Sequence, residues 1–206
     1  MAKNVVGPRN YTDGNEPDPR FGKQGEAIVG MAHGAYWEAS SRHKLFVASN
    51  AVAGVAPGTA QGTTPPFALW NPPNSGVDLV IVRATLGYVS GTIGAGTLAW
   101  GWNSQTTVPT TGTELTPLLT RIAAANGAGR AFTGSTITAV PAIVRPAFVL
   151  SAQAAATASP LAAAAVDFVD GEIVVPSSVV ATLQGIAAAG TSPLVIISVT
   201  WEEAPV

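Results

Sequence analysis

The stretch from Phe67 to Trp102 constrains the fold of this chain more than any other. Phe67, Leu69 and Trp70 lead into Asn71-Pro72-Pro73-Asn74-Ser75-Gly76. A long run follows from Val77 to Ile93, then a Gly-rich segment, then Leu98-Ala99-Trp100-Gly101-Trp102. Two successive prolines cannot donate to a β-ladder, and Asn-Ser-Gly tolerates the backbone angles of a tight reversal. The long run alternates with period two. Val80, Val82, Ala84, Leu86 and Tyr88 fall on one face, and Leu79 and Ile81, then Arg83 and Thr85, on the other. This predicts a strand buried on both faces at its start and half-buried later. Leu98, Trp100 and Trp102 are predicted to share a face, with the small Ala99 and Gly101 opposite, where a neighbour can approach closely. Strand, turn, long strand, turn, strand specifies a β-sandwich core, and no catalytic motif lies within it.

The remainder of the chain reads as more of the same architecture. Glu26–His33, Ala35–Ala39 and Lys44–Ala48 read as strands, the last two joined by Ser40-Ser41-Arg42-His43. Residues 50–66 form a loop with one short strand near Val52–Val55. Residues 114–130 fit either a short helix starting at Thr116-Pro117 and ending at Gly127, or a strand. Phe132–Val140 and Ile143–Leu150 read as strands, and Pro141 and Pro146 place them at edges or bends. Residues 151–165, nearly all Ala, Ser, Thr and Gln, read as a loop or a packed small-residue segment. Val166–Val169 and Glu172–Val175 flank Asp170-Gly171 as a hairpin. Val179–Leu183 and the alternating Val195, Ile197, Val199 and Trp201 complete about eight to eleven strands, the last closing the sheet. Plentiful Gly (22) and Pro (16) suit many short strands and turns. No repeat of 20–50 residues is present, which argues against a propeller or solenoid. The expected fold is all-β: an antiparallel β-sandwich of jelly-roll type spanning 26–206, with an irregular N-terminal arm over 1–25. Val82, Leu86, Trp100, Val199 and Trp201 are expected in its core.

Charge is the most informative compositional quantity. Only 11% of the 206 residues are charged, against roughly 25% in ordinary globular proteins. A surface so poor in charge is expected to be covered by other subunits. Of the 22 Lys, Arg, Asp and Glu side chains, 11 lie in residues 1–45, so the N-terminal part carries a different kind of surface. Within the arm, Gly7-Pro8-Arg9-Asn10 and Asp13 to Arg20 are turn formers without periodicity. Such a segment orders on a neighbouring subunit or stays a tail. Arg9, Tyr11, Arg20, Phe21 and Lys23 are its candidate partner-binding residues. Met1-Ala2-Lys3-Asn4 leads into no sustained apolar region, and no run approaches the ~20 apolar residues of a membrane helix. The expectation is a soluble protein made in the cytoplasm without a membrane partner. Basic residues are too scattered for a nucleic-acid footprint.

Candidate chemistry is sparse. No cysteine is present, so thiolate ligands and disulfides are excluded. His33 and His43 would need Glu38 or a distant carboxylate to hold zinc, and read better as strand histidines. Asp167, Asp170 and Glu172 lack the alternating oxygen ligands of a calcium loop and read as a hairpin turn. A Ser-His-Asp arrangement has no nucleophile elbow to support it. Carbohydrate binding through Trp70, Trp100 or Trp102 competes with core packing of the same side chains. No enzyme, cofactor or metal site is therefore expected.

Several phrases resemble tailed-bacteriophage virion proteins. They are Phe67-Ala68-Leu69-Trp70-Asn71-Pro72, Leu79-Val80-Ile81-Val82-Arg83, Gly91-Thr92-Ile93-Gly94-Ala95-Gly96, Asp170 to Pro176, and Val199-Thr200-Trp201-Glu202-Glu203. They spread over the body from residue 67 to the end. The resemblance implies a jelly-roll decoration, or cement, protein on the capsid surface of the virion. Its implied partners are the major capsid protein and copies of itself, as a trimer or next a dimer. That family carries no catalytic residues to transfer. The alternative is a carbohydrate- or host-recognition module of a head spike or tail fibre.

Overall fold

The computed structural model describes residues 34–121, 123–124, 127–151, 165–187 and 190–206. The chain divides between Trp37 and Glu38, and the fold described here occupies Glu38–Val206. Two antiparallel sheets form a sandwich. The first runs β10 (Ala165–Phe168), β3 (Val77–Ser90), β13 (Leu194–Pro205), β1 (Leu45–Ser49), β6 (Leu118–Leu119) and β7 (Ala123–Ala124), with β11 (Val174–Val175) also on β3. The second runs β5 (Thr113–Leu115), β8 (Arg130–Thr133), β2 (Phe67–Asn71), β12 (Val179–Ala187), β4 (Gly96–Ser104) and β9 (Ala142–Leu150). Between them lies one core that includes Phe67, Leu69, Leu98, Trp100, Ile197 and Trp201. The five expected core residues are all buried. β13 is not the closing strand expected from its position in the chain, because it lies between β3 and β1.

The apparent two-faced start of β3 has a simple cause. β13 keeps strict alternation, with Val199 opposite Ala84 and Trp201 opposite Ile81, so β3 carries one extra residue, Val82. This bulge flips the face of the strand. Leu79 and Ile81 thereby join Ala84 and Leu86 in the core. Val82 is buried but its carbonyl oxygen accepts from both Val169 N (2.9 Å) and Asp170 N (2.8 Å).

The same bulge corrects the Asp170-Gly171 hairpin. β10 and β11 do not pair with each other; both run antiparallel to β3, one after the other. Asp170 (φ 46°) and Gly171 (φ 87°) take left-handed angles, and the turn accommodates the extra residue of the neighbouring strand. The Asp-Gly signal was local, and the bulge beside it could not be read from the same segment.

Two further expectations are corrected, and one open alternative is decided. Residues 35–39 are not a strand. A short helix, α1 (Trp37–Ser41), takes their place. It ends where Lys44 N donates to Ala39 O and His43 N to Ser40 O, with His43 at φ 57°; this is a Schellman termination. Glu38 and Arg42 form an ion pair one turn apart. Of the two alternatives over residues 114–130 the strand is taken: β5, β6 and β7 lie here, with no helix among the described residues. The strand expected over Phe132–Val140 stops at Thr133, because Gly134 turns at φ 61° and Ile137 N donates to Thr63 O instead. The strand expected over residues 26–33 lies outside the described residues, as does nearly all of the Ala-rich segment.

The two outer faces of the sandwich differ. On the six-stranded sheet, Ala68, Trp70, Phe132, Ile137 and Val180 form a second apolar cluster. Trp70 Nε1 donates to Gln105 O at 2.7 Å, and the Gln105 side chain is held by Thr138 and Thr107. Gly101 leaves space for Pro141, which lies 2.9 Å from where its Cβ would stand. The expected close approach on that face is therefore made by the chain's own 134–141 segment. No comparable cluster covers the outer face of the seven-stranded sheet among the described residues.

Arg130 latches this region. Its guanidinium lies over the rings of Trp70 (5.4 Å) and Phe132 (5.3 Å) and donates two 2.6 Å hydrogen bonds to Glu114. Those hydrogen bonds hold the Glu114 carboxyl below its ordinary range, against the opposing effect of burial and with help from charge attraction. A folded-state value below the unfolded one gives stability that is complete above pH ~4.3, the unfolded value, and is lost as pH falls through the folded value. Both side chains are more than a third exposed, so the contribution is modest and salt-screened. The melting temperature of Glu114→Gln is expected to fall less than that of the wild type between pH 6 and pH 3. Equal falls would show that the pair does not couple to folding.

Candidate interaction face

Outward positions of the seven-stranded sheet follow from the core positions. With Ala84 and Leu86 inside, Arg83 and Thr85 face out, beside Phe168 and Val166 of β10. On β13 the outward partners are Thr200 and Ser198, and on β1 Val47 and Ser49. Beyond the bulge, Val174, Val80 and Glu202 form another outward row. Phe168 is 66% exposed, and Val166, Val174 and Leu118 are exposed as well. The face is thus a twisted surface of Val, Phe, Leu, Thr and Ser, in which Thr200 is buried and Val47, Val80, Thr85 and Ser198 are half-buried. Arg83 and Glu202 on it have no ion-pair partner among the described residues. Exposed apolar side chains gathered on one face are a feature of interaction sites.

The β9 edge of the other sheet is guarded against strand addition. Pro146 lacks an N–H, and the register between β9 and β4 shifts on either side of Ala99–Trp100. Proline and bulges blunt a free edge. The expectation that Pro146 marks an edge holds, since β9 is the last strand of its sheet.

Between β9 and β10 a polar tie joins the two sheets. Trp100 is fully buried, and its Nε1 donates to Asp167 Oδ2 at 2.8 Å. Arg145 Nη1 donates to Asp167 Oδ1 at 3.1 Å, and Arg145 Nε lies 3.2 Å from Glu172 Oε2. A buried indole N–H needs such an acceptor. Sequence reading treated Asp167 as a turn carboxylate and did not single out Arg145. The available signal was one acid inside the short apolar run Ala165–Val169, within reach of a core tryptophan only in three dimensions.

Beside this tie is a cleft of about 320 Å³, lined by Trp102, Val144, Glu172, Val174 and Pro176 among others. Trp102 is 47% exposed. It shares a face with Leu98 and Trp100 along β4, but it stands beyond the end of the core. Core packing accounts for Trp70 and Trp100, both buried, and not for Trp102.

Glu203 lies near the end of β13. It is buried, and its carboxylate accepts from Ala128 N (3.0 Å) and Gly129 N (2.9 Å), fixing that loop over the end of the core.

The arm residues Arg9, Tyr11, Arg20, Phe21 and Lys23, and also His33, lie outside the described residues. His43 is exposed in the helix-terminating turn and is not a strand histidine. Asp167 points inward to Trp100, while Asp170 and Glu172 belong to the turn alongside β3. No group of three or more His, Asp or Glu side chains suited to a metal ion occurs among the described residues. Likewise, no helix among them is long and apolar enough to cross a membrane. The chain matches no protein-family model, no curated protein and no solved structure.

Proposed function

We propose that this protein is a virion structural protein that decorates and stabilises a phage capsid by binding its major capsid protein shell. The observation that carries the reading is the charge-poor outer face of the seven-stranded sheet, with Phe168, Val166, Val174 and Leu118 exposed on it. A rigid body with one adhesive face suits a part that holds neighbours together. The strand pairing supports the jelly-roll form of the fold. The eight main strands pair as β10-β3-β13-β1 and β9-β4-β12-β2, the order that two Greek keys produce. The phrases that resemble phage virion proteins fall on β2, β3, the β3–β4 connection, the turn and β11 ahead of β12, and β13.

The test is binding of the full chain to undecorated phage heads assembled from a major capsid protein. Saturable binding and a raised melting temperature of the heads are expected. Arg9→Glu, Arg20→Glu and Lys23→Glu together are expected to weaken attachment, because the arm is assigned to the shell contact. Heads that neither bind the protein nor gain stability would overturn the proposal.

The Trp102 cleft favours a second reading, a glycan-recognition module. A half-exposed indole beside a carboxylate suits a sugar ring stacked by its C–H face. Glycan-array binding that disappears in Trp102→Ala would favour this reading, and an empty array would remove it.

A further inference from the structure

We propose that two copies of this chain pair face to face through the outer surface of the seven-stranded sheet, forming an isologous dimer. The inference rests on the structural role proposed above, in which copies of the chain associate. It selects the two-fold state over the trimer expected first from the sequence.

Size is the first argument. The face spans five strand widths, from β10 and β11 through β3, β13 and β1 to β6. At about 4.8 Å between strands, with four outward rows about 6.6 Å apart, it measures roughly 20 by 25 Å. Burying it on both partners removes on the order of 1,000 Å² from water, the size of a weak, concentration-dependent contact.

Charge is the second. Arg83 and Glu202 lie on adjacent strands in neighbouring outward rows: Arg83 opposite Thr200, Glu202 opposite Val80. The face therefore carries Arg83 beside Glu202, with a second acid, Asp78, one row further along opposite Ala204, and none of the three has an ion-pair partner among the described residues. A two-fold axis passing between Arg83 and Glu202 sets each Arg83 over Glu202 of the second copy. The surface is its own electrostatic complement, which is what an isologous contact requires. The apolar side chains around this pair, chiefly Phe168, Val166, Val174 and Val80, supply the surface buried about it. The guarded β9 edge argues against the competing route, a dimer made by strand addition.

Sedimentation equilibrium of the full chain over a hundredfold concentration range tests the inference. The wild type is expected to move from monomer to twice the monomer mass and no further. Phe168→Asp, at an exposed position, is expected to keep the wild-type circular dichroism while weakening the dimer at least tenfold. Arg83→Glu is expected to weaken it, and Arg83→Glu with Glu202→Arg to recover it. A monomer at every concentration would overturn the inference and leave the face to the N-terminal residues or to the shell. A trimer, a dimer indifferent to Phe168→Asp, or a charge swap that recovers nothing would also overturn it. Head binding by the same wild-type protein separates this failure from a failure of the proposed structural role.

Discussion

Replacing Trp100 with alanine is expected to destabilise the protein by about 3–5 kcal/mol, the range for truncating a large buried aromatic side chain. Trp100 has no exposed surface and sits in the core between the sheets. Its removal leaves a cavity that neighbours on two opposed sheets cannot close without shifting. A second cost follows from Asp167, whose Oδ2 loses its 2.8 Å partner while only Arg145 remains on Oδ1. Trp100→Phe separates the two effects. It keeps most of the ring volume and removes only the indole donor, so it is expected to cost less than the alanine variant. Asp167→Asn in the Trp100→Phe background then reports whether the remaining charge is held by Arg145. Urea denaturation gives each value, and an unchanged midpoint for Trp100→Ala would show that the central strand of this account is misplaced.

The contrast between Trp100 and Asp167 shows what the sequence makes legible. Burial of Trp100, Leu86, Val199 and Trp201 follows from period two, because one face of a strand must meet the core. Chain position along the strand is less visible. Trp102 keeps the same parity as Trp100 yet passes the end of the core, and only the lengths of the facing strands decide that. The bulge at Val82 is equally hidden, since both parities around it are apolar and either register fits the letters. Asp170-Gly171 marks a turn correctly, but which strand its flanks pair with depends on β3, some 90 residues earlier. Residues 35–41 mislead for a different reason: the helix is set by its Schellman end and the Glu38–Arg42 pair, not by apolar periodicity. The face proposed as the interface was foreshadowed by low charge alone, which says that surface is covered and not where. The arm assigned to partner binding lies outside the described residues, so that part of the site still rests on composition.

Gly185→Val is the second substitution expected to have a large effect, at or above the top of the roughly 1–3 kcal/mol range for overpacking. Gly185 lies in β12 opposite Leu98, beyond the point where β2 pairs with that strand. Here a connection crosses from one sheet to the other. Val55 bridges to Val195, Pro57 O accepts from Gly185 N at 2.6 Å, and Gly62 exchanges two hydrogen bonds with the Gln184 side chain. A Cβ at Gly185 would stand 2.4 Å from Gly58 O and 2.5 Å from Pro57 O. These are backbone atoms, so no side chain can rotate away; the crossing segment itself must lift. Lifting it breaks the Gly185–Pro57 bond and exposes the Gln184 amide, which is otherwise buried and satisfied. Gly87 provides the control. It also lies in a strand, but an added Cβ meets only Ile196 Cβ at 3.8 Å, so Gly87→Ala is expected to be neutral or slightly stabilising. Urea midpoints of the two variants should therefore move apart, Gly185→Val well below the wild type and Gly87→Ala at or above it. A wild-type midpoint for Gly185→Val would mean that the 55–62 connection does not rest against β12.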